Sequence, residues 1–259
     1  MKIASINVNG IRARMPILLA WLADKAPEVV CIQETKVQDK DFPRQPLEAA
    51  GYHCSFKGQK SYNGVAILSR RAPTLVAKGF EPGDTREGPR LISARIEGID
   101  IVNTYVPQGQ DPASDKFRYK LDWLARLKGY FESHYDPGAP LVWTGDFNVA
   151  PDPIDVYDPQ KLAGSIGYHP EEHRALAAVK GWGFVDVYRR HHPGETAFTF
   201  WDYRIPKAVK RGLGWRIDHI WATRSMADRS TAAWIDAAPR LLPKPSDHTF
   251  IGAEFEQAA

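Results

Sequence analysis

The sequence has few cysteines and methionines, no long hydrophobic run and little excess of charge of either sign. Its 259 residues include 2 Cys and 3 Met. The longest apolar run, Pro16 to Ala23, is closed by Asp24 and Lys25 and falls far short of the ~20 residues that a membrane-spanning helix needs. We therefore expect no transmembrane helix and no membrane partner.

The two cysteines and the start of the chain indicate where the protein works. Cys31 lies in the run Val29 to Ile32, where a free thiol behaves as a small hydrophobic side chain, so we expect Cys31 and Cys54 to be reduced. Met1 and Lys2 lead directly into the alternating stretch Ile3 to Val8, without a charged leader or a cleavage site. These features favour a cytoplasmic location.

The composition is that of an ordinary globular protein, with 43% hydrophobic, 11% aromatic and 25% charged residues. The net charge of +3 is too small to indicate nucleic-acid binding by itself. One segment is more basic, with a local net charge of +5 between Arg189 and Arg216. Its basic residues are Arg189, Arg190, Arg204, Lys207, Lys210, Arg211 and Arg216.

Strand-like patterns outnumber helical ones along the chain. Alternating or continuous apolar stretches predict strands at Lys2–Val8, Val29–Gln33, Gly64–Ser69, Leu91–Glu97, Ile99–Val106, Leu141–Thr144, Ala197–Trp201, Ile217–Ala222 and Thr249–Phe255. Helical spacing appears at Pro16–Lys25, with Pro16 in the first turn, and at Asp115–Ser133 and Pro170–Lys180. Because strict βαβ alternation is missing, we predict one α/β domain over residues 1–259, in which sheets pack face to face and helices cover them.

Several predicted strands end abruptly in polar residues, as expected where a sheet presents catalytic groups. The polar residues at these ends are Asn7, Glu34, Tyr105, Gln108, Asp146, Asn148, Asp247 and His248, and Asp218 lies early in another strand. Taken alone, Glu34 would be interpreted as a solvated loop acid. The set as a whole is rich in carboxylate and amide oxygens, which are the ligands that Mg²⁺ prefers, and it therefore indicates phosphate chemistry.

Asp218 and His248 form a second element, since a carboxylate bonded to one imidazole nitrogen leaves the other free to act on a phosphoryl oxygen. Two other classes of enzyme lack support in the sequence. A serine hydrolase would carry a G-x-S-x-G elbow, and a P-loop nucleotidase would carry the G-x-x-x-x-G-K-S/T motif. Neither motif is present.

Seven ordered segments resemble the exonuclease III type of apurinic/apyrimidinic (AP) endonuclease, within the wider superfamily of endonucleases, exonucleases and phosphatases. The resemblance covers residue 3 to about residue 255, which is nearly the whole chain. The segments are Asn7 to Arg12, Cys31 to Lys36, Tyr105 to Gly109, Gly145 to Asn148, Phe200 to Arg204, Arg216 to Asp218 and Lys244 to His248.

The resemblance implies a four-layer αββα sandwich with two mixed β-sheets flanked by helices, and it implies a metal site. Glu34 would be the principal Mg²⁺ ligand with Asn7 beside it, and Asp247 an additional ligand. Mn²⁺ is the expected substitute. Asn9 stands where vertebrate-type members carry an acid.

The same resemblance implies catalytic roles. Asp146 would orient or deprotonate the attacking water and be held by Asn148. Tyr105 would lie near the phosphate or the leaving group, and Asp218 would orient His248 against the scissile phosphate. Together these groups would supply the nucleophile and neutralise the charge that develops during hydrolysis.

The expected substrate is double-stranded DNA with abasic sites or 3′ ends, bound by a monomer. Phe200, Trp201, Trp215 and Ile217 would line an apolar pocket that accepts a flipped-out baseless sugar and excludes an intact base. Gln108 and Arg204 would contact the DNA, whereas Phe198 is expected in the core. The predicted reaction is hydrolysis of the phosphodiester 5′ to the abasic site, with 3′ to 5′ exonuclease or 3′-phosphatase activity.

Two alternatives remain at this point. The superfamily also contains phosphoesterases that act on lipid or inositol phosphate headgroups with the same core, although no amphipathic membrane-facing segment is found here. A non-catalytic DNA-binding relative is the other alternative, but every expected catalytic position holds a competent residue.

Overall fold

Two six-stranded β-sheets with helices on their outer faces make up the computed structural model, which describes residues 1–81, 83 and 88–256. The strands are β1 (Lys2–Asn7), β2 (Val29–Gln33), β3 (His53–Lys57), β4 (Val65–Ser69), β5 (Leu75–Lys78), β6 (Leu91–Ile96), β7 (Ile99–Tyr105), β8 (Leu141–Asp146), β9 (Phe184–Asp186), β10 (Asp218–Thr223), β11 (Ser230–Asp236) and β12 (Phe250–Phe255). The helices are α1 (Ile11–Lys25), α2 (Arg44–Ala49), α3 (Asp115–His134), α4 (Pro159–Leu162), α5 (Pro170–Lys180), α6 (Val187–His191) and α7 (Arg224–Ala227). Short 3₁₀ turns lie at Asp39–Asp41, Pro153–Asp155 and Ala238–Leu241.

The strand order is β11-β12-β1-β2-β4-β3 in the first sheet and β5-β6-β7-β8-β10-β9 in the second. Each sheet is mixed, because β1 pairs with β2 in parallel and β7 with β8 in parallel, while the other strand pairs are antiparallel. The apolar layer between the sheets includes Ile67, Ile101 and Ile220, all nearly inaccessible to solvent.

Each sheet also packs against helices on its outer face. Leu18 and Leu22 of α1 join the side chains of the first sheet in one core cluster. Trp123 and Leu127 of α3 pack with Trp143 of β8 on the other side of the molecule. The order of layers is therefore helix, sheet, sheet, helix, which confirms the predicted four-layer αββα sandwich.

Strand register brings the polar strand ends to one edge of the sandwich. In the second sheet, Asp146 lies beside Tyr105 of the parallel strand β7 and opposite Asp218 at the start of the antiparallel strand β10. In the first sheet, Asn7 and Gln33 are register partners at the ends of β1 and β2, and Glu34 follows directly. Strand pairing thus brings residues from distant parts of the chain together at this edge.

Two local predictions are wrong. Residues Ala197–Trp201 do not form a strand, since Phe200 makes only isolated bridges to Trp215 and His248. Pro16 lies inside α1 rather than in its first turn, because the helix already begins at Ile11. The other predicted strands and helices appear within a few residues of their expected ends.

The expectations for the cysteines and for membrane spans can also be compared with the structure. Cys31 and Cys54 are both free thiols, and burial raises the pKa of each. Among the residues that the structure describes, none of the helices has the length and apolar character of a membrane span.

Candidate active site

The floor of the site is a hydrogen-bonded row of carboxylate, amide and carboxylate. Asn7 Nδ2 donates to Glu34 Oε1 and to Asp146 Oδ2, each at 2.8 Å. The Asn7 amide oxygen is engaged elsewhere, because it accepts from the Asn9 backbone N–H at 2.9 Å. The Asn7 nitrogen therefore faces the two carboxylates and ties them together.

Strained backbone follows both central strands. Asn9 and Asn148 have positive φ angles of 43° and 52°, in the left-handed region that costs most residues energy. Each donates its backbone N–H at 2.9 Å to the side chain two residues before it, Asn9 to Asn7 and Asn148 to Asp146. The similar triplets Asn7–Asn9 and Asp146–Asn148 are therefore the same tight turn at the ends of β1 and β8.

Asp146 is buried, and its surroundings set its acidity. Burial raises the pKa of Asp146 to about 7, against the opposing effect of the nearby His248 imidazolium. Its Oδ1 accepts from the Asn148 N–H and its Oδ2 from Asn7. A carboxylate held in one orientation, with a pKa near neutrality, is suited to accept a proton from water.

Asp218 and His248 form a buried pair beside Asp146. His248 Nδ1 lies 2.8 Å from Asp218 Oδ2, and His248 Nε2 lies 3.8 Å from Asp146 Oδ2. Burial alone would lower the pKa of His248, but the two carboxylates raise it to about 10. The predicted pairing of Asp218 with His248 is thus present, with the imidazole in its charged form and Nε2 directed toward Asp146.

Glu34 faces a positively charged neighbour that sequence reasoning did not single out. Lys36 Nζ lies 2.8 Å from Glu34 Oε2 and also donates to the side-chain oxygen of Asn9. Burial would raise the pKa of Glu34, but Lys36 and Asn7 hold it below its usual value. Asn9 Nδ2 in turn donates to Asp247 Oδ1 at 3.0 Å, so Glu34 and Asp247 belong to one polar network.

Tyr105 enters the site from the end of β7. Burial raises its pKa well above the usual value, and the carboxylates of Glu34 and Asp146 add to the effect. The Arg90 guanidinium lies over the ring, 4.7 Å from its centroid. The phenol is therefore protonated and able to donate a hydrogen bond.

Two groups of side chains have the chemistry to hold a divalent cation. Asp146, Asp218 and His248 place one ligand atom each within 4.8 Å of one another. The imidazole of this group is bonded to Asp218, and the neighbouring carboxylates raise its pKa. The carboxylate of Glu34, with Asp247 in the same network, offers the hard oxygen donors that suit Mg²⁺, and one of its oxygens is paired with the Lys36 ammonium.

An open cleft of about 750 Å³ lies above these groups. All the predicted site residues line it except Asn7, Asp218 and Trp201. Asn7 and Asp218 are fully buried beneath it and bonded to lining residues. Phe200, Trp215 and Ile217 pack in a small apolar cluster at one wall, and Phe200 contacts the His248 ring at a centroid distance of 4.9 Å.

Trp201 does not belong to that wall, which corrects its predicted place in the pocket. Its side chain is buried and lines a different cavity of about 390 Å³, together with Phe198. Phe198 and Trp201 meet edge to face at 6.4 Å. The two neighbouring side chains thus face different cavities, Phe200 the cleft and Trp201 the other one.

The basic segment between Arg189 and Arg216 is not a single surface. Arg216 is fully buried, with Nε 2.6 Å from Asp155 Oδ1 and Nη2 2.9 Å from Asp186 Oδ2, and Arg189 also binds Asp155. These charges hold the segment after β8 against the start of β10. The exposed basic residues are Arg190, Arg204, Lys207, Lys210 and Arg211.

Sequence reasoning missed a further part of the cleft lining as well as Lys36. It comes from Tyr157, Leu162, Ile166 and Gly167, in the connection between β8 and α5 that contains the short helix α4. No periodic pattern marks this connection. The one available signal was its position, directly after the strand end at Asp146.

Comparisons with known proteins agree with this geometry. Residues 4–248 match the model of the endonuclease/exonuclease/phosphatase family. Exodeoxyribonuclease III of Haemophilus influenzae is 34% identical, with 99% of this chain and 100% of the relative covered. An AP endonuclease structure from Archaeoglobus fulgidus superposes with a TM-score of 0.95 at 45% identity, covering 99% of this chain and 100% of that one.

A further solved structure is a 3′ phosphatase from Neisseria bound to a product DNA hairpin. Its TM-score is 0.94 at 37% identity, again with 99% of this chain and 100% of that chain covered. The match to the family model over nearly the whole chain, together with these relatives, decides the assignment. The chain belongs to the endonuclease/exonuclease/phosphatase family and is an enzyme of the exodeoxyribonuclease III type of AP endonuclease.

Proposed function

We propose that this enzyme hydrolyses the phosphodiester 5′ to an abasic site in double-stranded DNA and leaves a 3′-hydroxyl. We further propose that it removes nucleotides or phosphate from 3′ ends, as the names of its relatives state for them. One observation carries the proposal: the acid–base set of Asp146, Asp218 and His248 lies at the floor of a cleft with an apolar wall. The acid–base set serves hydrolysis of a phosphodiester, and the apolar wall serves selection of a baseless sugar.

The proposed cofactor is Mg²⁺, with Mn²⁺ as a substitute, held by Glu34 with Asp247 as a further ligand. Such an ion, when bound, neutralises charge on the phosphate oxygens. The hydrogen bond from Asn7 keeps Glu34 Oε1 oriented. Lys36 occupies the other carboxylate oxygen and would move aside or share it.

Asp146 is the proposed group that positions and deprotonates the attacking water. Its pKa of about 7 places proton transfer near the working pH, where general-base catalysis is most efficient. Asn7 and the Asn148 N–H fix both of its oxygens. The water therefore meets a carboxylate that needs little reorganisation.

His248 and Tyr105 are the proposed donors to the phosphate. The charged imidazole presents Nε2 to the cleft while Asp218 holds Nδ1, so its hydrogen bond to a phosphate oxygen would strengthen as negative charge develops. The protonated phenol of Tyr105 would donate to the phosphate or to the leaving oxygen.

Phe200, Trp215 and Ile217 are the proposed wall for the abasic sugar, and Gln108 and Arg204 the proposed contacts to the strand beside it. Arg204 pairs with Asp202. Because its side chain is exposed and lines the cleft, it would reach a phosphate there. We propose that a monomer carries the whole site. The expected compartment is the cytoplasm, where the DNA of a bacterium or archaeon lies.

The test is cleavage of a labelled duplex with one abasic site, beside the same intact duplex, with Mg²⁺ and with excess chelator. We expect one metal-dependent incision 5′ to the lesion and shortening of the intact duplex only from its 3′ ends. The Glu34→Gln variant, which lacks the charge of the proposed metal ligand, is the negative control for this incision. Absence of incision by folded protein would reject the proposal and direct attention to lipid and inositol phosphate substrates.

A further inference from the structure

A buried ion pair lies behind the cleft and takes no part in the catalytic set. Lys120 of α3 and Glu172 of α5 are both fully inaccessible to solvent, and Lys120 Nζ donates to Glu172 Oε1. Burying two opposite charges costs desolvation energy that their attraction often fails to recover. Stability alone is therefore a weak explanation for the pair, and its remaining contacts indicate another role.

The ammonium of Lys120 binds the main chain of two segments at the cleft. It donates to the Asn148 carbonyl at 2.8 Å and to the Gln108 carbonyl at 3.2 Å. Asn148 is the strained residue whose N–H holds Asp146. Lys120 thus anchors the main chain at Asn148, whose N–H orients Asp146, the proposed base.

The carboxylate of Glu172 binds a third segment. Its Oε2 accepts from the backbone N–H of Gly167 at 2.7 Å and of His169 at 3.1 Å. The Gly167 carbonyl accepts from the Ala150 N–H at 2.8 Å, which links this segment back to the one after Asp146. A Cβ at Gly167 would lie 3.4 Å from the Trp215 ring, so the glycine backbone packs against the apolar wall.

Gln108, Asn148 and Gly167 all line the cleft, and one buried pair binds the main chain of all three. We propose that Lys120 and Glu172 are a positioning pair, which holds the three cleft-lining segments at the spacing required for incision and for selection of the baseless sugar. The pair touches no substrate and acts through Asn148 and Gly167. This inference rests on the proposed incision activity.

The experiment removes both charges together, in the variant Lys120→Met/Glu172→Gln. The matched control is Lys128→Met/Glu132→Gln, an exposed pair on α3. Single-turnover incision of the abasic duplex, affinity for the intact duplex and urea unfolding are measured at a temperature at which every variant is folded. We expect incision to slow by about tenfold or more, because small displacements of catalytic groups are costly, with affinity for intact duplex nearly unchanged.

A purely structural role would give a different result, because a loss of folded protein lowers the rate only in proportion to the folded fraction. Native incision by folded Lys120→Met/Glu172→Gln protein would overturn the proposal. If that variant does not fold, Glu172→Gln alone decides, since the single glutamine oxygen cannot accept both from Lys120 and from the N–H groups of Gly167 and His169. A native rate in folded Glu172→Gln protein would equally overturn it.

Amide hydrogen exchange separates this proposal from the proposed function, because it needs no substrate. Exchange at Asn148 and Gly167 is expected to accelerate in the Lys120→Met/Glu172→Gln variant and to stay native in the control. Unchanged exchange would overturn the positioning role. If the unmodified enzyme does not incise, the proposed function is wrong, while exchange still decides whether the pair holds these segments.

Discussion

Asn7 of the first sheet donates a hydrogen bond of 2.8 Å to Asp146 of the second, across 139 positions of the chain. The same nitrogen also bonds Glu34. The proposed metal ligand and the proposed base are thus held by one amide at the seam between the sheets. A displacement of one sheet relative to the other would change the geometry of both groups together.

The Asn7→Asp variant tests this link. The new carboxylate is nearly isosteric but places a third negative charge between Glu34 and Asp146, which replaces a hydrogen bond with repulsion. We expect incision to fall by about 10- to 100-fold, as for other residues that orient ligands and bases. Single-turnover rates and circular dichroism give the measurement. An Asn7→Asp protein with the native rate would show that the bridge has no catalytic role.

Glu34→Gln tests the metal site with little change in shape. Loss of the charge should weaken Mg²⁺ binding and lower incision by roughly 10³-fold, because a metal contributes several kcal/mol of transition-state stabilisation. Metal titration followed by calorimetry, together with the incision rate, measures both effects. Glu97, far from the cleft at the turn after β6, provides the control variant Glu97→Gln. Equal metal affinity in native and Glu34→Gln protein would contradict the assignment.

His248→Asn and Asp218→Asn test the donor to the phosphate. His248→Asn removes a charged donor that acts mainly in the transition state, so kcat should fall by about 100-fold or more while DNA affinity changes little. Asp218→Asn leaves the imidazole in place but removes the carboxylate that raises its pKa. We expect a smaller loss of kcat in Asp218→Asn. The alkaline limb of its pH–activity profile, where the imidazole loses its proton, should shift to lower pH. A defect confined to DNA affinity would reject the role of His248.

Trp215→Ala tests selection by the apolar wall. The variant enlarges the pocket beside Phe200 and Ile217, so an intact nucleotide should be tolerated better. We expect the preference for abasic over intact duplex to fall by about tenfold, a typical value for a lost apolar contact. Trp201→Phe, on the side facing the other cavity, is the comparison. A larger loss of this preference in Trp201→Phe than in Trp215→Ala would indicate that Trp201 lines the pocket.

The sequence predicts the fold well, and it predicts most of the polar residues that meet in the cleft, because both depend on local signals. Alternation marks the strands, and the abrupt polar ends after Ile6, Ile32 and Leu141–Thr144 mark the site. Two other features could not be predicted from local signals. The place of Trp201 was inferred from the resemblance, but the side that a residue faces depends on the direction of an irregular segment. The burial of Arg216 depends on Asp155 and Asp186, which are 61 and 30 positions away.

The buried network around Arg216 also makes stability depend on pH through His219. This imidazole is fully buried, receives a hydrogen bond from Arg216 and lies 3.0 Å from the Val149 carbonyl. Burial, and then the charge of Arg216, lower the pKa of His219 to about 4 from the usual 6.5. The folded protein therefore keeps His219 neutral at pH values at which the unfolded chain binds a proton.

Because the unfolded state binds more protons between pH 6.5 and about 4, the free energy of unfolding should fall as the pH is lowered through this window. The contribution of His219 is fully present above pH 6.5, and its loss amounts to about 3 kcal/mol by the lower limit. Urea unfolding across this range should show a flatter pH dependence in His219→Gln, whose amide can still donate to Val149. His53→Gln, at an exposed position on β3, should keep the native slope. Equal slopes for all three proteins would mean that His219 does not couple folding to pH.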